Sequence, residues 1–243
     1  MIYLFRIYQV LIALPLCVVF TILASVSTVV GCIPTRGRFW GYYPAKVWAM
    51  LFCWLNFVTV RVRGRENINK KTSYVFVANH QGAFDIFAIY GFLGHNFKWM
   101  MKASLRKIPF VGYACYKAGH IFVERGNAMS VRRSMEKAER QLSGGMSMVV
   151  FPEGSRTKTG RMGTFKRGAY MLATEFNLPV VPVTIDGSYK IMPSGGKMKL
   201  PTPGVIRMTI HQPIVAPSEG HDLSKLMEES REAIASALPE EYK

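Results

Sequence analysis

Hydrophobic positions along this chain fall into two regimes. Val10 to Ile33 carries no charge over about 24 residues, roughly 36 Å as a helix and enough to cross a bilayer core. Val47 to Val60 is rich in Trp, Phe and Leu but spans only about 14 residues, roughly 21 Å, which falls short. From residue 59 the texture changes to short alternating or fully apolar runs. Val58–Gly64 alternates like a strand with one polar face. Tyr74–Ala78 is a continuous apolar run suited to a central parallel strand. Further strands are predicted at Lys98–Met101, His120–Val123, Met146–Phe151, Val180–Ile185 and Val205–Ile210. Helical spacing is predicted over Ile86–Leu93, from Ile108 towards Lys117, and over Ala128–Leu142, Gly168–Phe176 and Asp222–Leu238.

Strands alternating with helices predict an α/β fold with a mostly parallel sheet flanked by helices. The apolar stretches add an N-terminal two-helix membrane anchor over residues 1–58, leaving 59–243 as the α/β domain. Between the two stretches, Pro34–Pro44 is basic and aromatic, and Arg61, Arg63 and Arg65 follow the second. Cationic flanks on both sides predict that the second segment returns to the side it left or lies in the interface. Trp40, Tyr42, Tyr43, Trp48 and Trp54 suit a headgroup-level belt. A cleaved signal fits less well, because the region before the apolar run holds only Arg6 and a second hydrophobic segment follows at once.

Composition sharpens the choice of partner. The 243 residues are 49% hydrophobic, with a mean hydropathy of +0.13 and a net charge of +16. Residues 219–243 hold seven acidic and three basic side chains, so the first 218 carry 28 Lys and Arg against eight Asp and Glu. A body this basic suits nucleic acid, anionic lipid or a phosphorylated substrate. The four cysteines form no CxxC, which points to neither a zinc site nor a disulfide framework.

Candidate chemistry collects at the predicted strand ends. His80 ends the strand at Tyr74–Ala78, and Asp85 falls in the helical turn that follows. Ligands bind at that edge of an α/β sheet, and a carboxylate on one ring nitrogen leaves the other free to accept a proton. The alternative is a polar turn in which both residues only cap the helix. Lys102, Arg125, and Glu153 with Arg156 follow three other strands and share the same edge in a parallel sheet. Their cations suit phosphate oxygens. Lys166-Arg167-Gly168 forms a further basic turn before a helix. No G-x-S-x-G, phosphate loop, dinucleotide fingerprint or HExxH occurs, and the five histidines show no metal-ligand spacing. His95 and His221 read as loop or cap residues, and His120 and His211 as structural. A hydroxyl-activating base fits this inventory, and acyl transfer from a thioester needs little more.

Four blocks in order carry a family resemblance: Asn79–Asp85 as NHxxxxD, Gly119–Arg125, Phe151–Arg156, and Leu178–Val183. The chain resembles the PlsC-type lysophosphatidic acid acyltransferase family, bacterial 1-acyl-glycerol-3-phosphate acyltransferases, over roughly residues 59 to 215. Glu124 stands where Asp is common in the second block, and Ser155 where Thr is common in the third. The resemblance implies a glycerolphosphate acyltransferase-type fold with His80 as general base and Asp85 as its orienting partner. It implies that Arg125, Glu153 and Arg156 bind the glycerol phosphate, that Gly154 and Ser155 shape that loop, and that the fourth block lines the acyl pocket. Lys102 rests only on its strand-end position. The implied reaction needs no cofactor or metal. An acyl-carrier protein or CoA thioester donates, and the membrane lipid lysophosphatidic acid accepts, with no nucleic acid involved. The implied location is the cytoplasmic membrane, with the catalytic domain on the cytoplasmic side. Acyl transfer to another lysolipid, such as lyso-ornithine lipid, shares the same blocks; a non-enzymatic basic membrane-surface module is the remaining alternative.

Overall fold

A computed structural model of the chain describes residues 2–35, 37–124, 136, 146–194, 200–216 and 223–243. Arg125, His221 and, apart from Glu136, the helix expected at Ala128–Leu142 lie outside them. The first apolar stretch is helical from end to end: α1 (Ile2–Tyr8), a π-helical turn (Gln9–Ala13) and α2 (Leu14–Thr35). Its buried stripe is small or polar, with Gln9, Ala13, Cys17, Ser25, Thr28 and Cys32, while Val18, Leu23, Val26, Val30 and Ile33 face outward. The Arg6 guanidinium donates to the carbonyls of Leu200 and Pro201, and the Gln9 amide donates to Pro201 and Asn56. Midway, the Trp48 indole N–H donates to the Thr21 hydroxyl at 2.8 Å. At the far end Trp40 packs so closely on Gly31 that a side chain there would overlap the ring. The helix is therefore fastened to the rest of the molecule at both ends and in the middle.

The second apolar stretch does not confirm the expected two-helix anchor. It forms α3 (Tyr43–Leu55), 13 residues and roughly 20 Å long, and Ala49 and Cys53 on it are fully buried. Among the described residues only one helix, Tyr3–Thr35, is long and apolar enough to cross a membrane. The reason lies in α3's inner face: Trp48 and Phe52 pack on Phe87, with the Phe52 and Phe87 rings 4.4 Å apart and nearly parallel. That face belongs to the protein's own core, although Val47 and Trp54 remain exposed.

The strands are β1 (Val58–Arg63), β2 (Val75–Ala78), β3 (Phe97–Lys102), β4 (Ile121–Val123), β5 (Ser147–Val150), β6 (Val180–Asp186) and β7 (Gly204–Ile210). They form one sheet in the order β1-β7-β6-β2-β5-β3-β4, all neighbours parallel except β6 and β7. The mostly parallel sheet is thus as expected, with β1 and β7 reversed relative to the other five. The carboxyl ends of β2 to β6 consequently lie on one edge. Strand β2 is buried on both faces, which explains its unbroken apolar run. Phe76 and Ala78 join the core with α3 and α4 (Phe84–Phe92). Val75 and Val77 join the opposite layer, under α6 (Gly168–Glu175) and α8 (Leu223–Ser236). Between β3 and β4 comes α5 (Val111–Lys117), and α7 (Ser188–Ile191) follows β6. Helix α8 buries Leu226, Ser230 and Ile234 at four-residue spacing, so its acidic residues form the outer face, as the sequence pattern predicts.

One buried cation ties the helical layer to the sheet. Lys98 on β3 is 4% exposed and donates through Nζ to the Gly37 carbonyl at 3.1 Å. Burial pulls its ammonium down from 10.5 to about 8. A lowered folded-state value means that the unfolded chain binds more protons between those two pH values, so stability rises with pH across that window. From pH 7 to 10, the wild type is expected to gain on the order of 2 kcal/mol relative to Lys98→Met. Unfolding in detergent at a series of pH values checks this; parallel pH profiles for the two proteins would count against it.

Candidate active site

The turn between β2 and α4 brings His80 and Asp85 together. His80 Nδ1 lies 2.7 Å from Asp85 Oδ2, with Asp85 fully buried and the His80 side chain 12% exposed. The same carboxylate oxygen accepts the Gly82 backbone N–H at 2.8 Å, and the Ser188 hydroxyl donates to the other oxygen. Capping and pairing are therefore one structure: Asp85 closes the helical turn with one lobe of the oxygen that also holds the imidazole. Because a carboxylate only accepts, Nδ1 carries the hydrogen and Nε2 is left as an acceptor. Nε2 makes no hydrogen bond among the described residues. Gly82 is required by close approach, since a Cβ there would stand 2.8 Å from the Ser188 carbonyl and 2.9 Å from that of Met192. Asn79 locks the turn to β6, its amide donating to the Ile185 carbonyl and accepting the Ile185 N–H, both at 2.8 Å.

The imidazole lies flat on Phe151, with ring centroids 3.8 Å apart and planes 6° from parallel; Phe151 in turn stacks on Trp99. This aromatic tier fixes the ring's tilt from the β5 and β3 side. Glu153 fixes the backbone. Its Oε1 accepts the His80 N–H at 2.7 Å and its Oε2 accepts the Gly163 N–H at 2.9 Å. Burial pushes its carboxyl above the ordinary range, and the two N–H donors pull it back. The loop from Ser155 to Gly163 is pinned elsewhere as well. Thr157 N–H donates to the His80 carbonyl, Gln81 to the Gly160 carbonyl, Tyr189 hydroxyl to Lys158, and Met162 N–H to Tyr242 near the carboxyl terminus.

The sequence-predicted residues are thus placed unequally. His80 and Asp85 meet. Glu153, expected to touch a phosphate head, is 8% exposed with both oxygens occupied by backbone donors, and its charge would repel phosphate. Gly154 takes the left-handed turn (φ 73°) that presents Ser155 and Arg156, both exposed, one residue before the Thr157 contact with His80. Lys102 is exposed at the same sheet edge but on β3, two strands from β2, or roughly 10 Å across. Arg125 lies outside the described residues, just beyond β4. The fourth block is Leu178-Pro179 followed by the first four residues of β6, packed into both core layers. Ser188, Asn79 and Phe151 carry roles that the strand-and-spacing reading did not assign. Asp186-Gly187-Ser188 did carry a turn signal, since Gly187 adopts φ 98° there, but a turn does not announce which carboxylate its hydroxyl will meet. His120 and His211 are structural, as expected: His120 bridges Tyr90 and the Trp99 N–H, and His211 pairs with Thr184. Among the described residues no group of three or more His, Cys, Asp or Glu side chains gathers to hold a metal ion.

Residues 59–186 match the family model described as Acyltransferase. The chain is 34% identical over 206 residues to a chloroplastic 1-acyl-sn-glycerol-3-phosphate acyltransferase from Arabidopsis thaliana, covering 84% of this chain and 56% of that protein. It is 30% identical over 194 residues to the 1-acyl-sn-glycerol-3-phosphate acyltransferase of Pseudomonas aeruginosa, covering 77% and 72%. The chain therefore spans just over half the length of the plant relative and nearly three quarters of the bacterial one. In three dimensions it is similar to the crystal structure of the 1-acyl-sn-glycerophosphate (LPA) acyltransferase PlsC from Thermotoga maritima. The two share 27% identity and a TM-score of 0.79 over 96% of this chain and 93% of that one. The matched region runs from β1 through β6 and contains both the His80–Asp85 turn and the Glu153 loop, so the chain belongs to the acyltransferase family.

Proposed function

We propose that the protein transfers a fatty acyl group from acyl-carrier protein or acyl-CoA to the sn-2 hydroxyl of 1-acyl-glycerol-3-phosphate, giving phosphatidic acid. The observation that carries this reading is the His80–Asp85 pair with Nε2 unshared at the strand-end edge. The names of the bacterial and plant relatives support the same acceptor. His80 Nε2 takes the hydroxyl proton as the oxygen attacks the thioester carbonyl. The tetrahedral adduct then expels the thiolate, which recovers that proton from the imidazolium and leaves as free thiol. Asp85 holds the reactive tautomer and stabilises the transient imidazolium, and Ser188 holds Asp85. Arg156, presented by the Gly154 turn, binds the glycerol phosphate together with Arg125, while Ser155 shapes the loop and Lys102 adds a more distant charge. Glu153 supports that loop from beneath. In this reading residues 1–58 anchor the catalytic domain of residues 59–243 to the membrane. The cations that follow the apolar run, Arg36, Arg38 and Lys46, keep that domain on the cytoplasmic side.

Thiol release from an acyl thioester in the presence of lysophosphatidic acid measures the reaction directly. His80→Ala is expected to lower kcat by roughly 10²–10⁴, the range of a lost general base. An intact rate in that variant would remove the mechanism. Ser188→Ala is expected to lower kcat by about tenfold with KM little changed, because one hydrogen bond to a buried carboxylate supports the base without touching substrate. Arg156→Ala should behave the opposite way. It should raise KM for the phosphorylated acceptor by about tenfold or more, with a much smaller effect on kcat. Equal use of a phosphate-free lysolipid by the wild type would favour the lyso-ornithine-type reading instead.

A further inference from the structure

A second exposed apolar surface lies outside the N-terminal helix. Between β3 and β4 the chain forms a short 3₁₀ turn, Ala103–Lys107, and then α5. Its large apolar side chains point outward: Ile108 is 43% exposed, Phe110 57% and Tyr113 54%. Nothing in the described core needs them there. Phe110 adopts φ 59° and ψ −58°, a γ-turn conformation closed by the Val111 N–H on the Pro109 carbonyl and unfavourable for a bulky side chain, and in it the ring stands outward at the start of α5. Gly112 permits this geometry, since a Cβ at that position would overlap the Arg106 backbone.

Two further observations say what covers this face. Phe110 and Tyr113 line a shallow, open groove of about 190 Å³ together with Ser25, Val26, Val29 and Val30 of α2. The apolar face of α5 is therefore continuous with the outward face of the membrane-length helix. Cations frame it: the Arg106 guanidinium lies 4.2 Å from the Tyr116 ring centroid, Lys117 Nζ 5.5 Å from that of Tyr113, and Lys107 is exposed beside them. Aromatic rings with a basic fringe, level with a lipid-facing helix, are what a headgroup boundary accommodates. We infer that residues 105–117 form a second membrane-docking element that seats Ile108, Phe110 and Tyr113 in the same leaflet as α2, with Arg106, Lys107 and Lys117 on anionic lipid headgroups. An acidic soluble protein would match the cations but not the apolar face shared with α2. The element follows Lys102 at the carboxyl end of β3, so it holds the catalytic edge of the sheet against the lipid.

The test uses the full chain bound to phosphatidylglycerol vesicles, with an environment-sensitive fluorophore on Tyr113→Cys and, as control, on Ser224→Cys of α8, both in a Cys115→Ala background. The label at 113 is expected to emit at shorter wavelength and to be quenched by headgroup-region spin-labelled lipid, and the label at 224 to report water. Indistinguishable behaviour at the two positions overturns the proposal. So does a label at 113 that responds to acidic carrier protein in the absence of lipid but not to vesicles. Removing two surface cations with Arg106→Gln and Lys107→Gln should weaken binding to phosphatidylglycerol vesicles by roughly thirtyfold and leave binding to phosphatidylcholine nearly unchanged. Unchanged affinity for the anionic vesicles overturns the headgroup contact. The labelled-chain readout does not depend on catalysis, so it stands or falls separately from the acyl-transfer reading.

Discussion

Two buried carboxylates organise the edge of the sheet that holds His80. Asp85 collects the His80 ring, the Gly82 N–H and the Ser188 hydroxyl, and Glu153 collects the N–H groups of His80 and Gly163. The donors come from segments far apart in sequence, and all are referenced to one imidazole. Buried anions are costly unless hydrogen-bonded, and the donors here are mostly backbone groups that a turn would otherwise leave unpaired. The arrangement satisfies both needs together. It also explains why the site tolerates only particular residues around it: Gly82 must lack a side chain for α7 to approach, and Asn79 must join both backbone groups of Ile185.

The N-terminal helix is held to the same frame in a way that limits how it meets a membrane. A helix of 33 residues has a length of roughly 50 Å, more than a hydrocarbon core requires. Yet Arg6 and Gln9 grip Pro201 at one end, Thr21 meets Trp48 in the middle, and Trp40 closes on Gly31 at the other. The polar stripe that makes these contacts faces the protein, and the aliphatic face points away from it. The domain runs alongside the helix instead of hanging from one end of it. A surface helix fastened this way brings the sheet with it wherever its outer face goes.

Much of this is legible in the sequence, for identifiable reasons. Runs such as Val75–Ala78 and Met148–Val150 are apolar because both faces of a central strand are buried, and their brevity and β-branched content separate them from helix segments. The His80–Asp85 pair is readable because strand, turn and helix follow in immediate succession. What escapes depends on long-range register. Ser188 lies 103 positions from Asp85, and only the folded sheet order, with β6 beside β2, makes them neighbours. Glu153 is readable as part of the site but not as its scaffold, because a charge in a loop looks the same whether it faces solvent or two amides. The α3 segment reads two ways for a related reason: its aromatic residues suit a headgroup belt and a core equally well, and contact with Phe87 places Trp48 and Phe52 on the core side while Trp54 stays exposed.

The charge distribution follows from the same two carboxylates. The first 218 residues carry eight acidic side chains, and two of those eight are Asp85 and Glu153. Both are needed to fix the imidazole and its loop, and both are buried, Asp85 at 0% and Glu153 at 8% exposure. Their charge is directed into N–H dipoles and away from the surface. An edge lined by exposed Arg156 and Lys102 can then present a positive field to an anionic substrate even though its machinery is built on anions. Had either carboxylate faced outward, it would have opposed any anion approaching His80. Burial, usually a penalty for an acid, here separates the charge that holds the imidazole from the charge on the exposed edge.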